Sequence, residues 1–187
     1  MSQEEKIKIR EYFFNKRLNL SSDYIQTMSK KICVKAINYL KSQENIKNIA
    51  LYCPINNEVK LDYLIEFLRN NNYQIFLPKI IDQNLRFGKL SDNNLKTNPK
   101  IFQILEPIKL SNKIMDLVFC PLVAFDKNNN RIGMGGGFYD RLIKQYHEKN
   151  YHSKFIGLAF LEQLSENKLP MEKFDRKLDD ILFNLLT

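Results

Sequence analysis

Glycine is scarce in this 187-residue chain, at six residues, and cysteine and histidine are scarcer, at three and two. Cys33, Cys53 and Cys120 lie far apart, with no Cys-x-x-Cys pair, so neither a zinc site nor a redox pair is expected. Buried or half-buried thiols in a reducing compartment are expected instead. No apolar run approaches the roughly 20 residues that span a bilayer. The N-terminal Met1–Glu5 stretch is acidic and carries no apolar segment. No signal peptide and no membrane partner are therefore expected, and the expected location is cytoplasmic. His147 and His152, near the end of a candidate helix, are read as non-catalytic.

What is present fits one globular domain over residues 1–187, long enough to bury a core without staples. Apolar residues make up 44% and charged residues 27%, the balance of an ordinary folded chain. The net charge of +8 raises a nucleic-acid reading. Its distribution argues against one. The lysines run from end to end within a general Lys, Asn and Ile bias, as in Asn70–Asn72 and Asn128–Asn130. A nucleic-acid surface concentrates its basic residues on one element with interleaved aromatics.

Helices are expected over 3–19, with Ile7, Phe14 and Leu18 as the apolar face, and from Ser21-Ser22-Asp23 to Leu40. Further helices are expected near 60–69 and from Phe138 to Glu148. Apolar, β-leaning runs at 46–53, 73–77, 116–120 and 155–160 read as strands, with shorter ones at 85–90 and 180–184. Alternating strands and helices predict a single-domain three-layer α/β/α fold with a mostly parallel open sheet of Rossmann-like topology. Pro54, Pro78 and Pro121 follow three of the strand runs and are taken to mark strand exits. Ligands of such sheets bind outside those carboxyl ends.

Four of the six glycines fall within Gly133-Met134-Gly135-Gly136-Gly137. A glycine turn before a helix presents bare N–H groups at the positive end of the helix dipole, a cradle suited to phosphate. Arg131 before it and Asp140 after it add a phosphate partner and a possible magnesium ligand. The turn has neither the Gly-Lys-Ser/Thr end of a Walker loop nor G-x-G-x-x-G spacing. A plain tight turn is the alternative.

The segment Pro121-Leu122-Val123-Ala124-Phe125-Asp126, followed by Arg131-Ile132-Gly133-Met134-Gly135-Gly136-Gly137-Phe138-Tyr139-Asp140-Arg141, resembles the signature of the 5-formyltetrahydrofolate cyclo-ligase family. Lys6, Arg10 and Arg17, Pro54 to Glu58-Val59, Glu106-Pro107 and Leu169-Pro170 to Asp175 correspond in order, so the resemblance spans nearly the whole chain. Three positions depart from many members: Gly136 for lysine, Phe138 for tyrosine and Phe174 for histidine.

The resemblance implies conversion of 5-formyltetrahydrofolate and ATP to 5,10-methenyltetrahydrofolate, ADP and phosphate, with magnesium as cofactor. It implies small-molecule partners and a monomer. A related module that binds nucleotide without turnover is the alternative. The implied catalytic residues are Arg131, Tyr139 and Asp140. ATP falls to Lys6, Arg10, Arg131, Ile132, Gly133, Met134, Gly135, Gly136, Gly137, Phe138 and Tyr139. The folate falls to Cys53, Glu58, Met134, Gly135, Gly136, Gly137 and Phe138. Magnesium falls to Asp140 and Asp175, with Asp179 and Asp180 as near neighbours of the second. Lys6, Arg10, Phe13 and Arg17 share one helical stripe, expected at the flank of the first helix's apolar face. Arg17 is the weakest of these cations as a ligand group.

Overall fold

The computed structural model describes residues 3–91, 94–98 and 104–185. Two helices come first, α1 (Gln3–Leu18) and α2 (Ser22–Lys41). They part at Ser21, whose Oγ accepts the Tyr24 N–H at 3.2 Å and caps α2. There follow β1 (Asn48–Ala50), α3 (Asp62–Asn70), β2 (Gln74–Ile81), β3 (Asn84–Lys89), β4 (Leu95–Asn98), β5 (Ile104–Pro107), β6 (Leu117–Cys120), β7 (Ala124–Phe125) and β8 (Arg131–Ile132). The chain ends with α4 (Phe138–Glu148), β9 (Lys154–Ala159), a 3-10 turn (Leu161–Gln163) and β10 (Asp180–Phe183).

The main sheet has six strands in the order β10-β9-β6-β1-β2-β3. All its pairings are parallel except β2 with β3. Counted along the chain, the parallel strands take the doubly wound order 2-1-3-4-5, in which the winding reverses between β1 and β6. On one face, Ile32 and Ala36 of α2 and Leu64 and Leu68 of α3 pack on Ile49, Leu117 and Ile156. On the other, Leu142, Ile143 and Tyr146 of α4 pack on Ala50, Val118 and Phe155. The result is the expected α/β/α sandwich. Burial from both sides explains why β6 is apolar at all four positions. No helix among the described residues is long and apolar enough to cross a membrane.

Several expectations need correction. Pro78 does not end its strand; it sits inside β2, opposite Phe87 of β3. Parallel pairing of β2 with β1 stops at Phe76, so beyond it β2 has β3 as its sheet neighbour, and a missing N–H is tolerated. The two-stranded units β4–β5 and β7–β8 were not anticipated. The buried side of α1 also differs. Ile7 and Leu18 are 44% and 40% exposed, whereas Lys6, Phe13 and Arg17 are buried. The cationic stripe faces inward because both cations have acceptors waiting for them, which offsets the cost of desolvation.

Candidate active site

A cavity of about 490 Å³ opens where β1 and β6 end, lined by Tyr52 and Cys53 after one strand and by Pro121 and Leu122 after the other. This is the reversal point of the sheet, where two successive loops diverge and leave a crevice. Every residue given a catalytic, ATP, folate or magnesium role from the sequence borders it: Lys6, Arg10, Cys53, Glu58, Arg131, Ile132, the turn Gly133–Gly137, Phe138, Tyr139, Asp140 and Asp175. Neither histidine does, and Asp179 and Asp180 lie elsewhere. Asp179 instead accepts the Phe155 N–H at 2.8 Å.

The glycine turn forms one wall. Gly135 has φ +97° and Gly137 φ +63°, both in the left-handed region that favours glycine. A side chain at Gly136 would run into the Phe138 ring. That ring lies under the Arg141 guanidinium at 5.1 Å, and Arg141 Nη2 donates to the Gly136 carbonyl at 2.9 Å. Gly137 starts α4 without a side-chain cap. The first N–H groups of the helix are thus left for a ligand, at the positive end of its dipole. From across the cavity, Arg10 Nε donates to the Gly133 carbonyl at 2.8 Å and ties α1 to the turn.

Charges line this end in pairs. Arg131 Nη2 meets Asp140 Oδ1 at 3.0 Å, and its guanidinium lies 5.8 Å from the Tyr139 ring centre. Asp140 Oδ1 also accepts the Arg176 N–H at 3.0 Å. Arg131 Nε is buried without an acceptor among the described residues, an orphan donor that a phosphate oxygen would satisfy. Lys6 Nζ bonds Glu172 at 2.7 Å and also Asp175. Burial pulls the Lys6 ammonium down, but Asp175 and Glu172 outweigh it and hold it above the usual lysine value.

The other end is less charged. Glu58 is buried, and its Oε2 accepts the Ile55 N–H at 3.0 Å. Burial pushes its carboxyl up, while Arg17, the Ile55 N–H and Lys60 draw it part of the way back. Burial also raises the Cys53 thiol to about 11, so Cys53 lines the wall as a neutral group, donating to the Leu105 carbonyl at 3.3 Å. Tyr52 and Tyr139 are pushed well above the usual phenol range by the depth of their hydroxyls. Tyr139 as a whole is half-buried.

Some lining residues were not assigned to the site from the sequence. Ile7, Pro78, Ile80 and Leu85 add apolar surface, and Glu106 and Glu172 add carboxylates. Glu106 arrives on β5, where it accepts from Asn98 Nδ2 at 2.8 Å. Its place in the family pattern was the available signal. Glu172 had none, being one of several charges in a polar segment.

The donor set bears on magnesium. No cluster of three or more His, Cys, Asp or Glu side chains fit to cage a metal exists among the described residues. Asp140 and Asp175 do share the cavity, and both hydrogen bonds that Asp140 accepts among the described residues go to Oδ1, leaving Oδ2 to a ligand. One or two carboxylates and no cage is the set magnesium takes when substrate phosphates complete its shell, so the residues fit.

Residues 2–184 match the model of the 5-formyltetrahydrofolate cyclo-ligase family. A 5-formyltetrahydrofolate cyclo-ligase of Haemophilus influenzae is 36% identical, over 97% of this chain and 99% of that protein. Two solved structures of 5,10-methenyltetrahydrofolate synthetases share the fold. That from Mycoplasma pneumoniae has a TM-score of 0.73 at 29% identity, over 95% of this chain and 97% of its own. That from Aquifex aeolicus has 0.75 at 30%, over 95% and 89%. The sheet order, the cavity at its reversal point and these likenesses agree, and the chain belongs to the 5-formyltetrahydrofolate cyclo-ligase family.

Proposed function

We propose that the protein converts 5-formyltetrahydrofolate to 5,10-methenyltetrahydrofolate with ATP, releasing ADP and phosphate. One observation carries the reading: an uncapped glycine turn and an orphan arginine donor share a single cavity with a buried glutamate and apolar walls. The first two suit phosphates; the last two suit a flat heterocycle with donor edges.

A formamide carbon is a weak electrophile, and its oxygen is a poor leaving group. Transfer of the γ-phosphoryl group to that oxygen, with ADP leaving, makes the oxygen a phosphate ester. N10 of the folate then attacks the carbon and loses its proton. The carbon–oxygen bond breaks, phosphate departs, and the ring closes. Chemistry of this kind needs alignment and neutralised charge more than a protein nucleophile. The residues match that need. The turn Gly133–Gly137 and the start of α4 hold phosphate oxygens, with Arg10, Arg131 and Lys6 at its borders. Tyr139 and Phe138 flank the reacting centre, and Glu58 accepts from the folate end. Magnesium, held by Asp140 and Asp175, would supply further charge neutralisation on the phosphates. On this reading the protein is a cytoplasmic monomer acting on small molecules, with no nucleic-acid or membrane partner.

The test is to incubate the protein with 5-formyltetrahydrofolate, ATP and magnesium, following methenyltetrahydrofolate absorbance and ADP together. The two are expected to appear one for one. ATP binding with no methenyl product would leave a nucleotide-binding module in place of an enzyme.

A further inference from the structure

Arg17 does not border the cavity, yet its side chain is 1% exposed, the most deeply placed charge among the described residues. It sits in the last turn of α1 and reaches both loops of the sheet's reversal point. Its Nε donates to the Asn56 carbonyl at 3.0 Å, in the loop after β1. Its Nη1 donates to the Leu122 carbonyl at 2.9 Å, in the loop after β6. The same Nη1 stands 3.7 Å from Glu58 Oε1, a charge contact beyond hydrogen-bond length. Nη2 is buried and donates to nothing among the described residues.

The loop that Arg17 grips needs a grip. Asn56 and Asn57 are both in the left-handed region, with φ +48° and +58°. Two successive non-glycine residues there hold only when their surroundings fix them. Within this turn the Glu58 N–H bonds the Ile55 carbonyl at 2.9 Å, and the Glu58 carboxylate bonds back to the Ile55 N–H at 3.0 Å. Whatever fixes Asn56 therefore fixes the position of Glu58 on the cavity wall. The planar guanidinium fork can hold two carbonyls and face a carboxylate at once, a geometry that an ammonium does not reproduce.

We propose that Arg17 is a positioning residue: its buried guanidinium clamps the Asn56–Glu58 turn against the Leu122 loop, so that Glu58 presents a charged carboxylate to the folate end of the cavity. The inference rests on the cyclo-ligase reading for the identity of that ligand. Glu58 is also faced by Lys60, Tyr52, Cys53 and Tyr139. Burial raises its carboxyl, and Arg17 is the foremost opposing influence. Without Arg17 the carboxylate would take its proton at a higher pH.

The experiment compares wild type, Arg17→Met, Arg17→Lys and Glu58→Gln, each alone and with the Arg17 changes placed on Glu58→Gln. Arg17→Met is expected to raise KM for 5-formyltetrahydrofolate at least tenfold, with KM for ATP within about twofold. The acid limb of kcat/KM should move to higher pH, and Arg17→Lys should restore part of the loss. On Glu58→Gln the Arg17 changes should add little. Equal losses for both substrates, an unmoved acid limb or full additivity on Glu58→Gln would overturn the positioning role. A measurement on the unaltered protein covers the case in which Arg17→Met does not fold. The Arg17 Nε–H resonance should titrate with the same midpoint as the Glu58 carboxyl carbon, and a flat Arg17 resonance would overturn the proposal. Absence of methenyl product in wild type would instead refute the cyclo-ligase reading, with the resonance titration still deciding the clamp.

Discussion

Asp140→Asn separates a metal ligand from a structural counter-ion, because the structure gives Asp140 both tasks. Its Oδ1 accepts from Arg131 Nη2 and from the Arg176 N–H, each at 3.0 Å. The Arg131 side chain is 4% exposed and that of Asp140 21%, so the pair is largely shielded from water. Breaking a buried pair by removing one charge costs about 3–5 kcal/mol. Asparagine keeps one oxygen for both donors, and Asp140 is partly solvated, so the expected loss is about 2 kcal/mol, toward the range of a lost charged hydrogen bond. For a domain of this size that is a fall in Tm of roughly 4–8 °C. The substitution should therefore cost stability as well as turnover. Turnover should fall at least a hundredfold, and the magnesium stimulation of ATP binding should shrink. Differential scanning fluorimetry and calorimetric ATP titrations with and without magnesium read these effects separately. A Tm within about 1 °C of wild type would refute the argument from the buried pair. An unchanged magnesium effect on ATP binding, with near-normal kcat, would refute the metal role and leave the ion pair standing.

Gly135→Val should lower ATP affinity at least tenfold by calorimetry. The reason is backbone strain, since a Cβ there would meet the Arg10 guanidinium at an ordinary 3.6 Å, while φ +97° suits only glycine; unchanged affinity would make the loop a plain turn. Asp126 accepts the N–H groups of Asn128, Asn130 and Leu169 and the Asn130 amide, at 2.8 to 3.1 Å. Burial opposes its ionised form, but these four donors outweigh it and hold its carboxyl below the ordinary 3.8. The stability it contributes is therefore full above pH 3.8 and is lost as pH falls through the lower folded value. Asp126→Asn should cost about 2 kcal/mol near neutrality and flatten the dependence of Tm on pH below about 4; an acid limb as steep as in wild type would show that other carboxylates dominate it.

The site was legible in the sequence where one local stretch builds it. The glycine turn, Arg131 and Asp140 are contiguous, and scarcity of glycine elsewhere made the cluster visible. The loops that border the cavity followed from apolar runs that end at Pro54 and Pro121. Pro78 misled because the rule that proline ends a strand assumes two ladder neighbours, and past Phe76 β2 has one sheet neighbour, β3. The buried side of α1 was not legible for a related reason. Lys6 and Arg17 looked like flank cations because their acceptors lie far along the chain, 166 residues away at Glu172 and 105 at Leu122. No periodicity reports a partner at that distance. The hairpin that delivers Glu106 escaped for the opposite reason: its strands are short, and β4 is polar enough to read as loop.

The pairing of charges also bears on selectivity. A cavity of bare cations attracts any polyanion. Here Lys6 is held by Glu172 and Asp175, and Arg131 by Asp140, so neither cation is free among the described residues. A ligand that offers only negative charge can take the unpaired Arg131 Nε, but to engage Lys6 or the rest of Arg131 it must break these pairs and leave the carboxylates unpaired in a partly buried site, which opposes binding. A ligand that brings an anion for each cation and a cation for each carboxylate exchanges partners at little cost. A nucleotide phosphate with its magnesium ion meets both conditions; inorganic phosphate and a nucleic-acid backbone meet the first alone. On the proposed reading, the carboxylates that weaken the cavity's attraction for anions in general are the groups that would make it selective for a metal–nucleotide complex. This is a physical reason for the glycine turn to stand beside Asp140 rather than beside a second lysine.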